Sequence, residues 1–86
     1  MAETTVTIAS PGGLRVRPAS RIVQEAKGYV SDIRFLVDGK EASAKSLFSL
    51  QMLEMSHGKE IVIVANGHDE QTAVEAMAKL VESVVV

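Results

Sequence analysis

The stretch Ile33-Arg34-Phe35-Leu36-Val37-Asp38-Gly39-Lys40-Glu41-Ala42 decides the fold class. Ile33, Phe35 and Val37 recur with period two while Arg34 falls on the other face, the pattern of a strand with one buried side. Asp38-Gly39 favours the tight primed turn of a two-residue hairpin, so Lys40 to Ala44 is expected to return as an antiparallel strand. Upstream, Val6 and Ile8 alternate with Thr5 and Thr7 and read as another half-buried strand. Ser10-Pro11-Gly12-Gly13 ends it. Pro18 suits the first turn of a helix, where its missing N–H is harmless. Ala19, Ile22, Val23 and Ala26 then form one apolar stripe, and Gly28 follows as a C-terminal cap, which predicts a helix over Val16 to Lys27.

Downstream, Ser46 is expected to N-cap a short helix holding Leu47, Phe48, Leu50, Met52 and Leu53. Ile61 to Ala65 is apolar at every position, as expected of a strand central in its sheet. Asn66-Gly67 turns the chain. Asp69 is expected to cap a last helix with the stripe Ala73, Val74, Met77, Leu80, Val81 and Val84. The order is β-α-β-β-α-β-α. Helices that each carry one apolar stripe must share one buried sheet face, which predicts a two-layer α+β domain.

Composition narrows the function. The 86 residues are read as one domain, 1–86. Nine Lys+Arg against 11 Asp+Glu give a formal charge of -2, which argues against a nucleic-acid binder that must neutralise phosphates. The aromatics Tyr29, Phe35 and Phe48 are too few for a base-stacking platform. No cysteine is present, which excludes disulfides, thiolate zinc sites and cysteine nucleophiles. His57 and His68, without any other ligand pattern, make no metal site. The longest apolar run, Ile61 to Ala65, is far too short to span a bilayer, and no secretory signal is read at the start. A soluble, cytoplasmic chain without membrane insertion is expected.

Gly12-Gly13-Leu14-Arg15-Val16-Arg17-Pro18 is where chemistry is expected. A helix start leaves backbone N–H groups without intrahelical partners, and no Ser, Thr, Asp or Asn stands at 15 to 17 to take them. No acid complements the positive end of the dipole. Arg15, Arg17 and Arg21 surround it instead, Arg17 and Arg21 on one helix face. A locally repulsive cluster of this kind suits an anionic ligand or an acidic partner, although a solvated charged turn would read the same way. The second helix adds a docking patch. Leu47, Phe48, Leu50, Met52 and Leu53, with Met55 just beyond, are more apolar residues than one stripe can bury, so some should face solvent unless the core is locally thick.

Gly13-Leu14-x-x-Arg17-Pro18-Ala19, followed by Ala42-Ser43-Ala44-Lys45-Ser46-Leu47, closely resembles the HPr family of histidine-containing phosphocarriers of the bacterial sugar phosphotransferase system. The resemblance runs from Val6 to about Leu80. It implies an open-faced two-layer β-sandwich, with a four-stranded antiparallel sheet and three helices on one face. It also implies a relay in which enzyme I passes a phosphoryl group from phosphoenolpyruvate to a histidine, and the histidine passes it to IIA domains. That histidine's position is Arg15 here. Relay chemistry needs a neutral imidazole nitrogen to attack and a group able to leave again, and a guanidinium supplies neither.

By the same resemblance Arg17, Val16 and Pro18 would hold the phosphoryl group. Arg17, Ser20, Arg21, Leu47, Phe48, Gln51, Met52 and Met55 would dock enzyme I and the IIA domains. Ser46 would be a regulatory phosphorylation site, which brings in a serine kinase or a transcription regulator as further partners. No cofactor and no metal are implied, and a monomer is expected. Three readings remain at this point. The chain is a binding and regulatory module of the kind known from HPr-like paralogues without the histidine, or a phosphocarrier whose histidine has been replaced. The third is phosphoryl transfer through another residue, His57 or His68 being the candidates.

Overall fold

The structure, a computed structural model, describes residues 1–8, 16–53 and 58–83, leaving aside the side chains of residues 16–19 and 83. Its elements are β1 (Ala2–Thr7), α1 (Val16–Ala26), β2 (Asp32–Val37), β3 (Lys40–Ser43), α2 (Leu47–Gln51), β4 (Glu60–Asn66) and α3 (Glu70–Ser83). The strands form one antiparallel sheet in the order β1-β4-β2-β3. This is the two-layer α+β arrangement the pattern predicts, in the open-faced form, with three helices on one face, that the resemblance implies.

Register explains the layering. Val6 stands opposite Ile61, Ile33 opposite Ala65, Phe35 opposite both Ile63 and Ala42, so each row sends apolar side chains to the helical side. Ile22, Val23 and Ala26 of α1, Leu50 of α2, and Ala73, Val74, Met77 and Val81 of α3 close over them. Each fully buried aliphatic side chain of this kind contributes roughly 1.5–3 kcal/mol. Ala19 and Val84, expected on the helical stripes, lie outside the residues whose side chains are described.

Several local expectations change. The first strand begins at Ala2, well before Val6. Ile8 lies past its end, yet stays tied by Ile8 N–H to the Lys59 carbonyl (2.9 Å) and Gly58 N–H to the Ile8 carbonyl (2.9 Å). Helix α1 stops at Ala26, and Gly28 is not a left-handed cap. The helix closes with tight bonds from Gly28 N–H to the Glu25 carbonyl (3.0 Å) and Tyr29 N–H to the Ala26 carbonyl (3.1 Å). The small residue matters there because a Cβ would sit 3.3 Å from the Glu25 carbonyl oxygen. The hairpin is as expected: Asp38 (φ 52) and Gly39 (φ 80) are both left-handed, as a type I′ turn requires.

Asp69 departs most from its expected role. It stands at the N-cap position, its carbonyl accepting from Ala73 N–H (2.9 Å). Its carboxylate, however, reaches across to the start of β2. It accepts Val30 N–H (3.0 Å), Ser31 N–H (3.0 Å) and the Ser31 hydroxyl (2.5 Å). Ser31 is fully buried, so the carboxylate satisfies polar groups that would otherwise be costly. Glu70, the first residue of α3, reaches back and accepts Gly67 N–H (3.2 Å) in the turn before the helix. Among the described residues no helix is long and apolar enough to cross a membrane.

Candidate functional site

Of the residues expected to dock partners, Ser20 and Arg21 lie on α1 and Leu47, Phe48 and Gln51 on α2, two helices that pack against each other. Val16, Arg17 and Pro18 form the first turn of α1, which contains no acid, so the positive end of the helix dipole is uncompensated by its own residues. Ser20 is half-buried and Arg21 exposed. Arg15, Met55 and His57 lie outside the described residues. So do the side chains of Arg17 and Pro18. His68 is exposed.

Helix α2 supplies the apolar part. Its short length lets it bury one side only, and Leu50 (0% exposed) and Leu53 take it. Leu47 is half-buried and packs against the core. Phe48 (65%) and Met52 (69%) point outward, beside the exposed Gln51. Large apolar side chains left this open, one helical turn apart, form an exposed apolar patch rather than a thickened core.

Ser46 sits at the joint between β3 and α2. Its backbone is extended (φ -122, ψ 110), and its hydroxyl oxygen accepts Ser49 N–H at 3.3 Å, the geometry of an N-cap. Ser43 prepares the entry. Its carbonyl accepts Ser46 N–H (3.2 Å) and its hydroxyl accepts Lys45 N–H (3.2 Å). Lys45 bonds through Nζ to the Tyr29 carbonyl (2.8 Å), tying this corner to the end of α1. Nothing in the sequence pattern signals that last bond, because its partners are far apart along the chain. Helix α2 has no acid in its first turn, so the Ser46 corner faces no negative charge from its own helix.

A family model described as the PTS HPr component phosphorylation site matches residues 2–83. This chain belongs to the HPr family. The phosphocarrier protein HPr of Borreliella burgdorferi is 48% identical over 83 residues, 96% of either chain. The HPr-like protein Crh of Bacillus subtilis is 40% identical over 85 residues, 99% of this chain and 100% of the relative. Its crystal structure, described as a dimer with a swapping domain, matches with a TM-score of 0.77 and covers 98% of this chain and 99% of that one. A closer superposition is given by HPr-C-His from Thermoanaerobacter tengcongensis, with a TM-score of 0.91 and 37% identity over 96% of this chain and 93% of that one. The chain is therefore an HPr-family protein of the phosphotransferase system, akin both to phosphocarriers and to Crh-type proteins.

Proposed function

We propose that this HPr-family chain is a regulatory and binding module of the phosphoenolpyruvate-dependent sugar phosphotransferase system. It keeps the partner-docking surface and cannot carry phosphate at the family's histidine position. One observation carries the reading: Arg15 stands where the motif Gly13-Leu14-Arg15-Val16-Arg17-Pro18-Ala19 places the acceptor, in a chain that matches the family over residues 2–83. A guanidinium stays protonated at any workable pH and offers no lone pair for attack on phosphorus. Arg17, with Val16 and Pro18 in the same turn, would still hold an anion.

The docking half of the proposal is supported by the outward Phe48 and Met52 beside Gln51, Leu47, Ser20 and Arg21. An apolar helix flanked by arginines suits an acidic-rimmed apolar surface, as expected of enzyme I and IIA domains. The Ser46 hydroxyl, at a helix end without an acid, would accept phosphorylation without like-charge repulsion from α2. A serine kinase or a transcription regulator would then be a further partner. We take the chain as one unit over residues 1–86 that acts as a monomer, with a Crh-like dimer as the state a sedimentation experiment would reveal instead.

A second reading is favoured by the 48% identity to a phosphocarrier: a carrier whose histidine has been replaced. Arg15→His separates the two. Restored transfer from enzyme I to a IIA domain identifies a disabled carrier. A variant that folds and binds enzyme I but still transfers nothing identifies a module that has diverged elsewhere.

A further inference from the structure

The central strand β4 carries a signal that the family's docking surface does not use. Ile61-Val62-Ile63-Val64-Ala65 is apolar at every position, the pattern of a strand covered on both sides. The helices cover one side only, burying Ile61, Ile63 and Ala65. Val62 and Val64 face away from them and stay half-exposed. Leu36 of β2 lies directly opposite Val62 and is also half-exposed. These three side chains form one apolar centre in the middle of the open face.

The rim around that centre has one sign of charge to spare. Glu3 stands opposite Val64, Glu60 opposite Thr7, and Glu41 opposite Leu36. Three cations on this face have acid partners, the Met1 ammonium being held by Glu70 (2.6 Å), while Lys79 shares a depression with Glu3 at the outer edge of β1. Arg34 is held by Asp32 and Glu41 (2.8 Å each), and Lys59 by Asp38 (2.6 Å). Among the described residues no ion pair engages Glu3 or Glu60. Two shallow depressions flank the centre, one lined by Thr5, Leu36, Asp38, Lys59, Glu60 and Val62, the other by Asp32, Arg34, Leu36, Glu41 and Val64 among others. The patch is narrow. Its apolar residues lie on two neighbouring strands, about 4.8 Å apart, a width that one helix of about 10 Å covers and a second sheet would overreach.

We propose that the open face of the sheet docks an amphipathic helix of a partner protein, through an aliphatic stripe rimmed by lysine or arginine. The charge preference is opposite to that of the α1–α2 surface, which offers arginines. The two surfaces lie on different layers of the fold, so both can be occupied at once, and the chain acts as an adaptor between partners of unlike charge. The small apolar footprint places the contact in the weak, transient class. The inference does not depend on what stands at position 15.

The test is an NMR titration of the labelled chain with two synthetic helical peptides that share one leucine stripe, rimmed by lysines in one and by glutamates in the other. Amides of Leu36, Val62, Val64, Glu3 and Glu41 should shift with the lysine peptide, those of Leu47 to Met52 should not, and the glutamate peptide should bind at least several-fold more weakly. The double variant Val62→Thr/Val64→Thr keeps β-branched shape and strand propensity. It should melt as the parent does and bind the lysine peptide about tenfold more weakly. Equal response to both peptides, shifts centred on α2, undiminished binding by the double variant, or self-association through this face in sedimentation would each overturn the proposal.

Discussion

Two helix starts in this molecule use the same kind of residue in opposite ways. At α2, Ser46 caps its own helix with a bond of 3.3 Å to Ser49 N–H, three residues away. At α3, Asp69 occupies the cap position but spends its carboxylate on Val30 and Ser31, more than thirty residues earlier. The first cap is local, half-exposed and replaceable. The second ties the α1–β2 connection to the start of α3 and satisfies a fully buried serine. A weak local cap can be altered with little effect elsewhere, whereas the Asp69 carboxylate joins two distant segments and serves a buried serine at once. Position 46 is thus a place where chemistry can change with the fold intact, and position 69 is not.

The strongest way to break the Asp69 corner is to crowd it. A Cβ on Gly67 would fall 2.7 Å from both Cα and Oγ of Ser31, and the backbone there is left-handed at φ 155. Gly67→Ala should cost about 3 kcal/mol in urea unfolding, from overpacking plus backbone strain. Next comes Asp69→Ala, which should lower the melting temperature more than Ser46→Ala does, since it orphans the buried Ser31 hydroxyl and its N–H together.

Acid should act at the same corner. The Ser31 hydroxyl, with help from the Val30 and Ser31 N–H groups, holds the Asp69 carboxyl below its ordinary value. The unfolded chain then takes up the proton first. The stability due to Asp69 is complete above the unfolded value near pH 4 and is lost as pH falls through the lower folded value. Melting temperatures from about pH 5 down to about pH 2 should fall less steeply for Asp69→Asn than for the parent.

Smaller effects belong to α2. Ser46→Ala should cost about 1 kcal/mol, the usual worth of an N-cap, with the sheet and α3 unchanged by hydrogen exchange. Phe48→Ala should change stability by less than about 0.5 kcal/mol, because that side chain is mostly in solvent. If Phe48 docks enzyme I, calorimetry should show the same variant binding it at least about tenfold more weakly.

The contrast also marks what could be read from the chain. The hairpin was legible because Asp38-Gly39 is a local instruction, and the φ angles of 52 and 80 obey it. Ser46 was legible for the same reason. Asp69 reads as a helix start in the sequence, but its carboxylate's partners do not, because a long-range side-chain bond leaves no periodic trace. In α2 the surplus of apolar residues was visible, while the division into buried Leu50 and Leu53 and exposed Phe48 and Met52 depends on where the helix lies on the core. The run Ile61 to Ala65 pointed to a central strand. Only the burial along the folded strand shows that two of its five residues, Val62 and Val64, face outward. Arg15 rests on motif position within a family match, and its surroundings lie outside the described residues.

With Arg15 at the family's acceptor position, this HPr-family chain is proposed to take no phosphate there. Intact-mass spectrometry after incubation with phosphoenolpyruvate, magnesium and enzyme I tests it most directly, with Arg15→His in parallel. The chain itself should gain no phosphoryl group. A phosphoryl group on the unaltered chain would contradict it, and His57 and His68 would be the first positions to map.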